Sequence, residues 1–293
     1  MNSITNPVYP ELLDLNLINK NSIKIISEKT RDKNIAVYLD VETKVIFLGS
    51  YESNIEYYEN NASGNPQDPY FLTNNHYPDD KRRFHQFEKY IQNAEYVLDY
   101  GCEWGGFLNL AKTKCKKISG VELNDSCLNY LKNNFSSSSF YKNITQVEDK
   151  PDLITLFHVL EHLPHQLQSL IEFRNTLADN GRIIIEVPHA EDFLIQTVDQ
   201  PSFRNFTFWS EHLVLHTQTS LKVLMEQAGF SNIEVFGYQR YGFTNHLGWF
   251  VDGAPDGHSR YQHLEDFELN ESYRKSRVNS STTDTLIVVA TKQ

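Results

Sequence analysis

Val97-Leu98-Asp99-Tyr100-Gly101-Cys102-Glu103-Trp104-Gly105-Gly106-Phe107-Leu108 decides the fold of this chain. It starts as a short apolar strand, bends through closely spaced glycines and continues with helical spacing. Glycine permits such a bend, and the free N–H groups of the first helical turn then face outward, where a ligand can meet them. The same alternation continues downstream. Strands are expected at 96–100, 117–122, near Phe140, at 152–157 and 182–187, and helices at 107–114, 126–133 and 166–178. A helix at 219–228, stopped by Gly229, precedes two last strands at 233–238 and 285–290. This pattern predicts an α/β fold, a doubly wound, mostly parallel, seven-stranded Rossmann-like sheet with helices on both faces.

Upstream, residues 1–88 read as an N-terminal elaboration on the lid or substrate side. Ile35–Leu39 and Val45–Leu48 suggest a hairpin, 60–69 a polar loop, and 79–90 a helix with Phe84, Phe87 and Ile91 on one face. Residues 89–293 form the cofactor-binding domain, with an insertion at about 240–280 before the last strand.

Two kinds of nucleoside cofactor use a strand–turn–helix of this type. Dinucleotide enzymes need G-x-G-x-x-G, because backbone must touch a pyrophosphate. Here Glu103 stands at the middle glycine, and its carboxylate would repel a pyrophosphate. The run Leu98-Asp99-Tyr100-Gly101-Cys102-x-x-Gly105-Gly106-Phe107-Leu108 resembles motif I of class I S-adenosylmethionine (SAM)-dependent methyltransferases. It departs from their Asp-x-Gly-x-Gly-x-Gly at Glu103. SAM carries a sulfonium and an ammonium, so a nearby carboxylate is tolerable on charge grounds. The resemblance implies a methyltransferase sheet and a cofactor held by Asp99, Gly101, Glu103 and Gly105. Glu122, ending the second strand, can accept both ribose hydroxyls in a charge-assisted fork. The same resemblance assigns Glu122 the adenosine ribose, places Leu123 against the adenine and implies S-adenosylhomocysteine as the product.

The segment Asp152-Leu153-Ile154-Thr155-Leu156-Phe157-His158-Val159-Leu160-Glu161-His162-Leu163-Pro164 admits two readings. His158 to His162 literally matches H-x-x-E-H, an inverted zinc-peptidase motif. Yet His158 ends a buried strand and Pro164 follows almost at once, so no long helix carries it, and no metal is expected. The segment instead resembles the stretch after strand four in the same methyltransferases, which puts Phe157 and His158 beside the sulfonium and reads Glu161 and His162 as capping and packing.

A base candidate lies farther on, in Phe208-Trp209-Ser210-Glu211-His212-Leu213. Methyl transfer is an in-line displacement in which positioning dominates, but a hydroxyl or carbon acceptor must also lose a proton. Histidine suits that task near neutral pH, and a neighbouring carboxylate raises its basicity. With Thr217-x-x-Ser220-Leu221 and Ala228-Gly229-Phe230, this run resembles sugar C-methyltransferases, and that resemblance makes Glu211 and His212 catalytic. The tyrosine of that family is Trp209 here, and its N-terminal cysteine-rich zinc module is absent. His158 completes the catalytic candidates.

Gln239-Arg240-Tyr241-Gly242-Phe243-Thr244-Asn245-His246-Leu247-Gly248-Trp249-Phe250 opens the insertion. Aromatic faces beside polar edges suit a polar ring. Arg240, Tyr241, Asn245, His246 and Trp249 are therefore substrate candidates, with Arg240 facing a phosphate or carboxylate. This run, Arg31-Asp32-x-x-Ile35-x-Val37-Tyr38 and Asp80-Lys81-Arg82-Arg83 resemble methyltransferases encoded with bacterial surface-polysaccharide and capsule genes. Tyr57 and Tyr58 are expected to cover the cofactor.

Composition sets the outer limits. The chain has 293 residues, 40% hydrophobic and 22% charged, enough for a real core. Its net charge of −11 argues against a nucleic acid partner. No apolar run approaches the roughly 20 residues of a bilayer span, and the start shows no signal peptide. The three cysteines, Cys102, Cys115 and Cys127, lack zinc-knuckle spacing and read as free thiols in a reducing cytoplasm. The sequence thus predicts a cytoplasmic enzyme methylating a small sugar- or nucleotide-linked acceptor at oxygen. Carbon, nitrogen or a phosphorus-linked group are alternative targets, self-association into a homodimer stays open, and Glu103 keeps a SAM-binding module without catalysis as the second reading.

Overall fold

In the computed structural model, which describes residues 4–52, 58–59 and 77–293, the chain opens with helix α1 (Val8–Asp14) and strands β1 (Ile23–Ser27), β2 (Val37–Asp40) and β3 (Ile46–Leu48). The expected hairpin is β2 with β3, and β1 adds a strand antiparallel to β2. Asp40 shapes the hairpin turn, because its Oδ1 accepts the N–H groups of Glu42 and Thr43 at 2.8 and 2.9 Å. The sequence pattern missed β1, whose IKIIS stretch is half exposed without the alternation that marks a strand. Tyr57 and the expected loop at 60–69 lie outside the described residues.

Helix α2 (Tyr77–Gln92) leads into the main sheet. There β4 (Tyr96–Tyr100), α3 (Gly106–Ala111), β5 (Lys117–Val121), α4 (Asp125–Asn134) and β6 (Ser139–Tyr141) build one half. The other half holds β7 (Leu153–Phe157), α5 (Gln166–Thr176), β8 (Arg182–Pro188), α6 (Pro201–Thr207), the two-residue β9 (Val214–Leu215), α7 (Gln218–Gln227) and β10 (Ser231–Tyr238). Helices α8 (Phe243–Val251), α9 (Gly257–Arg260) and α10 (Phe267–Asn279) then precede β11 (Thr285–Thr291).

The expected seven-stranded sheet is present, in the order β10-β11-β8-β7-β4-β5-β6. β11 runs against both neighbours, while the pairs β8–β7, β7–β4, β4–β5 and β5–β6 are parallel. Sequence explains each place. β8 (RIIIEVP) and β11 (TLIVVAT) are nearly continuous apolar runs and are covered on both faces. β10 (SNIEVFGY) alternates and sits at an edge with one face wetter.

One face of the sheet packs Leu170 and Phe173 of α5 and Leu221, Leu224 and Met225 of α7. The other packs Phe84, Phe87 and Ile91 of α2, Phe107 and Leu108 of α3, and Leu128 and Leu131 of α4. Each such side chain contributes about 1.5–3 kcal/mol by leaving water.

β9 does not join this sheet. It pairs with β3 and completes a four-stranded antiparallel sheet, β1-β2-β3-β9, over its own apolar core. The N-terminal segment is thereby tied to the stretch that follows Glu211 and His212. Chain order reverses between β4 and β7, since β5 and β6 extend one way and β8 the other. A crevice at the carboxyl ends of the strands is where ligands bind in such sheets. No helix among the described residues is long and apolar enough to cross a membrane.

Candidate active site

The turn after β4 winds through left-handed backbone at Gly101 (φ 76°), Glu103 (φ 47°) and Gly105 (φ 76°). Gly105 caps α3. A Cβ on Gly101 would stand 2.6 Å from Val159 Cγ2, so the loops after β4 and β7 close on each other there and only glycine fits. Non-glycine residues adopt this backbone at a cost of roughly 1–2 kcal/mol, which Glu103 bears.

Glu122 stands just past β5 with its carboxylate locked in place. Oε2 accepts the Glu103 N–H at 2.9 Å and Oε1 the Asn124 N–H at 2.8 Å. It stays half-exposed beside half-exposed Leu123. Burial outweighs these bonds and raises its pKa. Asn124 caps α4 and donates to the carbonyls of Tyr58 and Glu59 at 3.4 and 3.1 Å. Buried Asp99 accepts from Thr155 Oγ1 at 2.6 Å, a neighbour set by strand register, and burial lifts its pKa to about 7. These features frame a cradle for a nucleoside: a glycine turn that admits close approach and an oriented acid at the next strand end.

A charged cluster lies at the ends of β7 and β8. Glu186, wholly buried, takes Arg82 at 2.8 Å and Arg83 at 2.9 Å. His158 (φ 57°) stands between two acids, Nδ1 3.3 Å from Glu161 Oε1 and Nε2 3.2 Å from Glu186 Oε1. Burial disfavours its protonation, yet those two carboxylates prevail and raise its pKa against Arg240, whose Nη1 lies 3.1 Å from Nε2. Arg240 also pairs with Asp79. Burial works against ionised Asp79, but Arg240, Arg83 and Arg82 hold it down to about 2.

Beside this cluster opens a cavity of about 310 Å³. His158 and His212 line it, together with Arg240, Tyr241, Asn245, His246 and Trp249. The latter residues come from the end of β10 and from α8, so an insertion far along the chain folds back over the strand ends. Buried Trp249 packs edge-on against Phe203 at 5.0 Å. His246 stacks on Phe193 and bonds Tyr273 Oη through Nδ1 at 2.7 Å, and burial followed by Arg277 depresses it to about 4. Asp284 binds the N–H groups of Arg240 and Tyr241, fixing where that strand turns.

The family described as a methyltransferase domain matches residues 73–235, more than half of the chain. The chain belongs to this methyltransferase family.

Among solved structures it is similar to a SAM-dependent methyltransferase from Archaeoglobus fulgidus, at 19% identity over 77% of this chain and 100% of that one, with a TM-score of 0.52. It is also similar to the N-methyltransferase NodS from Bradyrhizobium japonicum WM9, solved with S-adenosyl-L-homocysteine, at 15% identity over 81% and 96% of the two chains and a TM-score of 0.48. The first likeness is one of fold. No curated protein sequence matches the chain.

The cofactor of this methyltransferase is S-adenosylmethionine. The residues present fit it: Glu122, fixed by two backbone N–H groups, would offer its carboxylate to ribose hydroxyls, and the Gly101–Gly105 turn would admit the cofactor close to backbone. When bound, SAM supplies an electrophilic methyl carbon.

The surroundings of the other expected site residues are as follows. Phe157 is half-buried and packs against the core, stacked on Phe87 at 6.0 Å and edge-on to Phe107 at 4.9 Å, beneath the Arg83 guanidinium. Tyr58 donates to Glu211 Oε2 at 3.1 Å and lies 3.1 Å from His162 Nδ1. Glu211 is buried and carries that tyrosine. The acid that counteracts the downward shift of His212 is Glu161, although burial and then the His162 ring prevail and hold His212 down to about 3.

Glu186, Asn124 and Asp79 were not singled out from sequence. A signal existed for Glu186, a lone acid inside the apolar run Ile183–Val187, because a buried charge needs a partner. The partners are the Arg82-Arg83 pair.

Proposed function

We propose that this methyltransferase transfers the methyl group of SAM to a hydroxyl of a small sugar- or nucleotide-linked acceptor of surface-glycan synthesis. The observation that carries this reading is the cavity beside His158. Its walls combine aromatic faces (Trp249, Tyr241, Phe206) with polar edges (Asn245, His246, Arg240), the surface a hydroxylated ring needs. Its volume of about 310 Å³ is of ligand-pocket size.

In this reading Arg240 offers a cation to an acceptor phosphate or carboxylate, and His158 and His212 face the reacting hydroxyl. Glu211 acts one step removed, through Tyr58 and His162. Catalysis then comes mainly from holding the acceptor oxygen in line with the methyl carbon and sulfur.

The test is incubation of the full chain with SAM and a panel of free and nucleotide-linked sugars, read by mass spectrometry. A product heavier by one methyl, with S-adenosylhomocysteine released, is expected. Calorimetry showing no SAM binding would sink the reading.

A further inference from the structure

Glu161, His162 and His212 each present one ligand atom, and those atoms lie within 4.8 Å of one another. The three come from two segments that one backbone and one side-chain hydrogen bond hold side by side. Leu213 N–H donates to the Glu161 carbonyl at 2.9 Å, and His162 Nδ1 lies 2.9 Å from the Glu211 carbonyl.

The chemistry of each donor is specific. A carbonyl only accepts, so Nδ1 of His162 carries the proton, leaving the Nε2 lone pair free to bind a cation. That Nε2 stands 3.9 Å from Glu161 Oε1. A carbonyl behind a histidine is the support that metal-binding histidines have. Glu161 is wholly buried, Oε1 meets His158 Nδ1, and Oε2 has no hydrogen-bond partner. Nδ1 of His212 is likewise buried without a partner. Two orphaned polar atoms in one small cluster cost about 1–3 kcal/mol each. A cation bound by these residues would offset that cost.

We propose that Glu161, His162 and His212 bind one divalent first-row transition ion, Zn2+ in the first instance, with its open coordination position facing the acceptor cavity. Two imidazoles and a carboxylate form a donor set that suits such ions, unlike the all-oxygen sets of Mg2+ and Ca2+. A tetrahedral ion needs ligand atoms about 3.3–3.5 Å apart, so the side chains close inward by an ångström or so on binding. Of the three, His212 lines the cavity, and the open position is assigned to that side.

The use of the ion rests on the methyl-transfer reading, whereas its binding does not. An acceptor hydroxyl bound to the ion through oxygen becomes more acidic and gives its proton to water. The oxygen lone pair then forms a bond to the methyl carbon while the carbon–sulfur bond breaks. Those electrons return to sulfur, giving the methyl ether and S-adenosylhomocysteine.

The test uses the full chain stripped with EDTA and titrated with Zn2+ or Co2+ alone. One ion per chain is expected, with the visible absorption of low-coordinate Co2+. Glu161→Gln and His212→Asn should each weaken Zn2+ binding more than about 100-fold, while calorimetric SAM affinity shows that the variants are folded. No uptake of either ion, or equal uptake by wild type and both variants, overturns the site. Where an acceptor is turned over, equal rates in the stripped and Zn2+-loaded protein overturn the role of the ion and leave His212 as a plain base. Zn2+ uptake with no acceptor turned over counts against the methyl-transfer reading alone.

Discussion

The Arg82 guanidinium and the Glu186 carboxylate meet at 2.8 Å, and Glu186, in the middle of the sheet, is wholly buried. Arg83 shares the same oxygen at 2.9 Å. Without Glu186, two guanidiniums and His158 would face one another across the strand ends. Glu186→Ala is predicted to lose about 3–5 kcal/mol of stability, the usual cost of stranding one partner of a buried ion pair. Urea unfolding measures this, and a loss below about 1 kcal/mol would show that water solvates the cluster.

Two acids give pH dependences of opposite sign. Asp79 is depressed to about 2 when folded, so its contribution is present above the unfolded value near 4 and is lost as pH falls from there toward 2. Asp99 is raised to about 7, so the folded state keeps its proton longer than the unfolded chain does. Stability should therefore decline as pH rises from about 4 to 7. Asp99→Asn should remove roughly 2–4 kcal/mol of that decline. Parallel slopes for wild type and variant in melts across this range would refute the assignment.

Glu122 is held by two backbone N–H groups and is half-buried. Glu122→Ala is predicted to weaken SAM binding by about 10- to 100-fold, the worth of hydrogen bonds to a charged group. Calorimetry with SAM and with S-adenosylhomocysteine should show similar losses. An unchanged affinity would move the ribose elsewhere.

At position 103 the prediction concerns strain. Glu103 has φ 47° and stands beside Glu122, whose pKa it helps to raise. Glu103→Gly keeps the N–H bond to Glu122 and removes both the strain and the repulsion. SAM binding and turnover should persist, with stability changed by less than about 1 kcal/mol because glycine's greater unfolded-state entropy offsets the relief. Abolished turnover would assign the carboxylate a direct role.

Tyr241 is 42% exposed while lining the cavity proposed to hold the acceptor. Tyr241→Ala should leave the melting temperature nearly unchanged, as exposed substitutions do, and raise KM for the acceptor with the SAM affinity intact. A change in SAM affinity instead would place the cavity on the donor side.

Sequence revealed the sheet well because its signals are local. Apolar runs such as Ile183–Val187 and the Gly101–Gly105 turn carry their reasons within a few residues. The β1 strand and the β3–β9 pairing did not announce themselves, since one strand lacks alternation and the other is two residues long with its partner far away in the chain. The site divides in the same way. Motif I and Glu122 stood out by spacing, and the aromatic run at 240–249 by composition. Glu161 and His162 read as packing residues, because their relation to His212 exists only once two loops lie side by side. The partners of Glu186 were equally hidden, as helix α2 crosses to it from outside the strand pattern.

The pairing of β3 with β9 has a practical consequence. Val214 and Leu215, immediately after His212 and Leu213, are anchored to Phe47 and Ile46, and so to the apolar core of the first fifty residues. Trimming the chain from its beginning would remove the wall to which this face of the pocket is bolted. The 240–280 stretch instead joins β10 and β11 at one edge of the main sheet. On the proposed reading, redesign of acceptor choice would start from the 240–280 residues, where side chains can be exchanged while the anchored wall keeps its shape.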